Sequence, residues 1–180
     1  MAERAQRKSS DACMRRMIEH HGAAVYRLAF SRLRNAADAE DVSQTVFLKL
    51  HATAPSFADT DHERAWLLRV TVNCCNDLHR SPWRRFVARG DSAAEAAEEA
   101  LALQACDRHR DQVANEEMGQ RIEDAMESLT DVQRTVVHLF YYEDCSTLDI
   151  AAITGLRAAT VRSHLHRARK ALEQQLGDLL

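Results

Sequence analysis

Apolar residues recur at helical spacing in two stretches of this chain, separated by a segment that lacks such a pattern. In the first stretch Met14, Met17, Ile18, Val25, Leu28, Ala29 and Leu33 mark one helix face, with Gly22 an expected irregularity. Val42, Val46 and Leu50 stand four apart and predict a helix over residues 37–52. Pro55 closes it, because proline disfavours a helical residue before it. Leu67, Val70, Cys74 and Leu78 give a third stripe over residues 63–80, with Ser81-Pro82 as its stop. The second stretch opens with Ile122, Ala125, Met126 and Leu129, followed by Val132, Val136, Leu139 and Phe140. Thr130 with Gln133, and Ser146 with Asp149, have the spacing of capping boxes, so each marks a helix start. A short helix over residues 146–153, a turn at Thr154-Gly155-Leu156 and a last helix over residues 158–176 complete the pattern. Val161, Leu165, Ala168, Leu172 and Leu176 form the inner face of that last helix.

Between the stretches, residues 91–115 offer only Leu101, Leu103 and Val113 as large apolar groups, too few to bury a core. The expected architecture is therefore all-α. A basic tail (residues 1–10) precedes a helical domain (residues 11–90), an acidic linker (residues 91–115) and a second small helical domain (residues 116–180). Five glycines and two prolines in 180 residues fit helices better than a turn-rich β fold.

The net charge of −3 conceals strong segregation. Residues 64–90 carry six arginines against the single acid Asp77, a balance of +5. Residues 91–131 carry twelve acids against three arginines, a balance of −9, and residues 157–170 carry five basic residues and no acid. Two basic patches that coincide with helical motifs form an electrostatic footprint for nucleic acid. No run approaches the ~20 apolar residues of a membrane span and no signal peptide is evident, which predicts a cytosolic protein with Cys13, Cys74, Cys75, Cys106 and Cys145 reduced. Neither a ligand set with metal spacing, nor a catalytic triad, nor a Gly-rich phosphate loop is present, so no metal, cofactor, catalytic residue or small-molecule substrate is expected.

Residues 146–170 fit a helix-turn-helix: a short capped helix, a turn whose Gly155 can turn left-handed, and a longer helix. On that last helix Arg162, His166 and Arg169 form one row, and Ser163, Arg167 and Lys170 the next, opposite the apolar stripe. Such a face suits the major groove, where arginine can donate twice to guanine and basic groups neutralise phosphates. The motif predicts DNA binding without saying what the binding serves.

The run from Asp144 to Leu172, with Thr160-Val161-Arg162-Ser163 and His166-Arg167-Ala168-Arg169 at its centre, resembles the C-terminal (sigma-4) domain of extracytoplasmic-function sigma factors of the sigma-70 family. Asp38-Ala39-Glu40-Asp41-Val42-Ser43-Gln44-Thr45-Val46-Phe47-Leu48 resembles that family's polymerase-binding helix. Ala65-Trp66-Leu67-Leu68-Arg69-Val70-Thr71-Val72-Asn73, continuing through Asp77 and Arg80, resembles its promoter-melting helix. The likeness spans residues 14–86 and 117–176 and implies a sigma-2-like bundle followed by a four-helix sigma-4-like domain.

The resemblance also implies roles. Asp41, Gln44 and Leu48, at i, i+3 and i+7, would meet the clamp helices of the largest subunit of core RNA polymerase, and the C-terminal domain would meet its flap. Arg69, Asn73, Asp77 and Arg80 would hold the melted −10 element, Asn73 receiving an unstacked base. Trp66 shares that face, although a buried anchor is the commoner use of a tryptophan. Trp83-Arg84-Arg85-Phe86 would extend the DNA surface. Arg162, Ser163, His166, Arg167, Arg169 and Lys170 would read −35 duplex. The implied function is promoter-directed initiation, and the implied regulator is an anti-sigma factor, often membrane-anchored in the family. Arg157 stands where many relatives carry a capping Ser or Thr, so the cap of the last helix is missing or supplied by another group. His164 and His166 stand at variable positions, so the promoter sequence does not transfer. The rival class, a freestanding DNA-binding regulator, would be a dimer.

Overall fold

A computed structural model describes residues 2–80, 119, 121, 122 and 124–177, with side chains from Met14 onward. The linker, Ser81-Pro82 and the Trp83–Phe86 segment lie outside the described residues. Six helices carry the described chain: α1 (Ala2–Leu33), α2 (Ala36–Thr53), α3 (Thr60–Arg80), α4 (Asp131–Tyr141), α5 (Thr147–Thr154) and α6 (Ala158–Leu176). Residues 124–127 form a further helical turn before α4. Two compact units divide the chain, Met1–Leu33 with Ala37–Gly90 in one and Arg34–Ala36 with Asp91–Leu180 in the other.

In the first unit α1 lies against α3. The core joins Met17, Val25, Ala29 and Leu33 of α1 with Ala39, Val42, Val46 and Leu50 of α2 and Leu67, Cys74 and Cys75 of α3. The α2 stripe thus buries the positions that its spacing marks. Polar ties cross the same helices. The Arg32 guanidinium donates to Asn76 Oδ1 at 2.7 Å. Glu63, only 4% exposed, sits 2.9 Å from both Arg16 and His21. A buried carboxylate persists when its oxygens are matched in this way. α3 begins three residues before the expected Glu63, because Asp59 caps it: the His62 amide donates to Asp59 Oδ1 at 2.8 Å.

α1 is helical from Ala2, so the residues expected as a basic tail open this helix. Ala2 to Lys8 contains strong helix formers and no Gly or Pro. One expectation for this region is corrected: Gly22 does not interrupt α1, because Met17, His21, Val25 and Leu28 on both sides of it are buried and hold the helix in place. A Cβ at Gly22 would meet Ile18 Cγ2 at 3.7 Å, an ordinary contact. Gly22→Ala should therefore raise the unfolding free energy of this unit by about 0.5–1 kcal/mol. Thermal denaturation followed by circular dichroism would register this as a higher midpoint, and a lower one would show that the glycine is needed there.

In the second unit α4 and α5 both pack on α6. Ala125, Leu129, Val136, Leu139, Ile150, Ile153, Val161, Leu165 and Ala168 are buried. Buried Arg134 donates to the carbonyls of Met126 at 3.2 Å and Leu129 at 2.9 Å, satisfying groups that the end of the preceding turn leaves open. Both expected capping boxes form. Gln133 N donates to Thr130 Oγ1 at 3.3 Å, and Asp149 N donates to Ser146 Oγ at 3.2 Å.

Candidate functional site

Three exposed stripes stand opposite these cores. On α2, Asp41, Gln44 and Leu48 are all exposed, on the side away from Val42, Val46 and Leu50. Leu48 is 67% exposed, a large apolar side chain beside exposed Gln44, Thr45 and Lys49, which is a composition suited to a protein partner. The acid in the first turn of α2 is Asp38, so helix-dipole compensation does not account for Asp41, which lies a turn further in.

On α3, Arg69, Asn73, Asp77 and Arg80 are exposed along one face, while Leu67, Leu68, Thr71, Val72, Cys74 and Cys75 are buried. Asn73 makes no side-chain hydrogen bond among the described residues, whereas Asn76, one turn on, is tied to Arg32. Trp66 behaves differently from the rest of the stripe. Its half-buried ring packs on the core and stands 5.9 Å from Phe57, at 65°. Phe57 in turn meets His62 edge-on at 5.6 Å. The indole thus clasps the α2–α3 connection, and packing accounts for its size and position. Phe57 carries no periodic signal in the sequence, so this aromatic group was not legible there.

The third stripe belongs to a helix-turn-helix. α5 starts at the Ser146 cap and ends at Gly155, whose φ of 73° is left-handed and whose amide donates to Ala151 O at 2.9 Å. α6 follows, with Val161, Leu165 and Ala168 inward and Arg162, Ser163, His166, Arg167, Arg169 and Lys170 exposed. Ala159, Arg162, Ser163, His166 and Arg167 line an open hollow on this face. Ser163 turns its hydroxyl back to Ala159 O at 3.0 Å. Arg169 donates from Nε to the Tyr141 hydroxyl at 2.7 Å, a contact between α6 and the end of α4 that sequence reasoning missed.

Arg157 occupies the N-cap of α6 and its side chain makes no capping hydrogen bond. An arginine there also places positive charge at the positive end of the helix. Arg157→Ser should stabilise the second unit by about 1 kcal/mol, visible as a higher melting midpoint. An unchanged or lower midpoint would mean that another group already serves the first turn.

Among the described residues no group of three His, Cys, Asp or Glu side chains could hold a metal ion, and Cys74, Cys75 and Cys145 are free and buried. His21 is committed to Glu63 at 2.9 Å. No described helix is long and apolar enough to cross a membrane.

Three all-helical features in this order (an exposed Asp-x-x-Gln stripe, a basic and amide-bearing helix face, a basic helix-turn-helix) define a two-domain transcription factor. Family models agree: Sigma-70 region 2 matches residues 17–85 and Sigma-70, region 4 matches residues 119–172. The chain belongs to the sigma-70 family of transcription initiation factors, and within it to the ECF RNA polymerase sigma factors. It is 32% identical over 169 residues to the ECF RNA polymerase sigma factor SigL of Mycobacterium tuberculosis, covering 93% of this chain and 91% of that one. It is 27% identical over 165 residues to the ECF RNA polymerase sigma factor SigW of Bacillus subtilis, covering 91% and 88%. The sigma factor RpoE of Bartonella quintana, solved in complex with the anti-sigma factor NepR, shares the fold with a TM-score of 0.60 at 22% identity, covering 91% of this chain and 96% of that one.

Proposed function

We propose that this chain binds core RNA polymerase in the cytoplasm and directs it to promoters, using its three stripes in a fixed division of labour. The α2 stripe of Asp41, Gln44 and Leu48 docks on the clamp helices of the largest subunit. The exposed face of α3, with Asn73 at its centre and Arg69 and Arg80 along the backbone, holds the melted −10 strand. α6 enters the major groove at −35, where Arg162, Arg167, Arg169 and Lys170 neutralise phosphates and Ser163 and His166 face the base edges. Residues 11–90 and 116–180 act as the two domains, the latter also touching the flap. The acidic residues between them suit a polymerase channel lined with positive charge. An anti-sigma factor that covers these same surfaces controls the protein. The chain supplies recognition rather than chemistry.

The observation that carries this reading is the coincidence of stripe and core. Each residue matching a family contact position on α2, on α3 beyond Trp66, and on α6 is exposed, and each helix keeps a separate apolar face for folding. The test is transcription of sheared genomic DNA by core polymerase with and without the protein. RNA 5′ ends that cluster downstream of one shared pair of upstream elements support the reading. Ends as scattered as those made by core alone would defeat it.

A further inference from the structure

Arg169 differs from the other basic residues of the α6 face in how it is held. Its Nε donates to the Tyr141 hydroxyl at 2.7 Å. Its guanidinium carbon lies 5.5 Å from the centre of the Phe140 ring and 5.7 Å from that of Tyr141, within the about 6 Å reach of a cation–π contact. The two rings meet edge-to-face, 5.1 Å apart at 76°, so they form a corner rather than a flat wall. Tyr141 is 51% exposed, and no carboxylate pairs with Arg169 among the described residues.

We infer that Phe140 and Tyr141 form a bracket that presents the Arg169 guanidinium to a DNA phosphate, which makes Tyr141 a positioning residue for duplex binding. The inference rests on the reading of the α6 face as a DNA surface. Three physical points carry it. A free arginine on a helix surface samples many rotamers, and fixing it at the moment of binding costs conformational entropy. Here that ordering takes place on folding, through the rings and the hydroxyl. The bracket is electrically neutral, so it orients the cation without cancelling its charge, as an Asp or Glu partner would. Finally, the bracket occupies only Nε–H of the five guanidinium donors. The two terminal nitrogens keep their fork, the geometry that matches two phosphate oxygens.

The bracket also explains why an apolar–aromatic pair at the end of α4 leaves a half-exposed tyrosine beside a basic helix. Phe140 is only partly buried and Tyr141 is exposed, so neither serves mainly as core.

The test is a fluorescence-anisotropy titration of the full chain with a labelled 20-base-pair duplex of arbitrary sequence, at several salt concentrations, because phosphate contacts are independent of sequence. Arg169→Ala should weaken binding and lower the logarithmic salt slope by about 0.9, the loss of one phosphate contact. Tyr141→Phe keeps the ring and all charges. It should weaken binding about three-fold with the salt slope unchanged, and it should add nothing in the Arg169→Ala background. Thermal melts confirm that each variant is folded. If Arg169→Ala changes neither affinity nor slope, the DNA reading of this part of α6 fails and the bracket with it. If Arg169→Ala weakens binding but Tyr141→Phe binds like the parent, the DNA reading stands and the positioning role is overturned. A loss from Tyr141→Phe that persists in the Arg169→Ala background also overturns it, because the tyrosine would then act independently of the arginine.

Discussion

Core RNA polymerase should bind the Asp41→Ala, Gln44→Ala double variant at least about ten-fold more weakly than the parent chain, with the variant's fold intact. Both side chains are exposed and lie off the buried stripe of Ala39, Val42, Val46 and Leu50. Surface substitutions of this kind shift stability by about 0.5 kcal/mol or less. At the centre of an interface, by contrast, truncating an anchoring side chain costs about 2 kcal/mol or more, and two acting together exceed the 1.4 kcal/mol that separates decades of affinity at about 25 °C. Leu48 should behave as the apolar part of the same site, so Leu48→Ala weakens binding further. The readout is a titration of labelled protein with core enzyme, beside a thermal melt. Parent-like affinity in the folded double variant would remove α2 from the polymerase interface.

Asn73→Ala should impair promoter opening by about ten-fold while leaving assembly with polymerase and −35 binding in place. The amide of Asn73 is exposed and uncommitted among the described residues, so the folded protein makes little use of it. Asn76 provides the contrast. Its oxygen accepts from buried Arg32 at 2.7 Å, and Asn76→Ala removes that acceptor from a buried charged donor, which costs about 1–3 kcal/mol of stability. The two asparagines thus separate in a pair of measurements: permanganate reactivity of the melted region falls for Asn73→Ala, and the melting midpoint falls for Asn76→Ala. Normal open complexes with Asn73→Ala would reduce that residue to an ordinary surface amide.

The contrast between Asn73 and Asn76 also shows where the sequence stops being informative. Both are polar residues on a helix, three apart, and nothing local distinguishes them. Their difference comes from Arg32, 44 residues away in the chain from Asn76. The same holds for Glu63 and its partners Arg16 and His21, and for Phe57 against Trp66, all of which depend on how helices are brought together. Local signals transferred well. The capping pairs Thr130/Gln133 and Ser146/Asp149, the left-handed Gly155 and the last helix over residues 158–176 follow from chemistry within a few residues. Gly22 is the local signal that misled, because buried neighbours on both sides outweigh its modest intrinsic cost to a helix. Periodicity marked the exposed stripes, but their meaning came from the resemblance and the family matches, since an Asp-x-x-Gln pair on a helix face does not by itself name a partner.

Every role proposed for the three stripes requires that this chain join core RNA polymerase. The most direct measurement is gel filtration of an equimolar mixture of the protein and core enzyme. Co-elution in a single peak at one chain per polymerase, with the free chain running as a monomer, is the predicted result. Separate elution of core enzyme and a dimer of this chain would rule this out and support a DNA-binding regulator that works without entering polymerase.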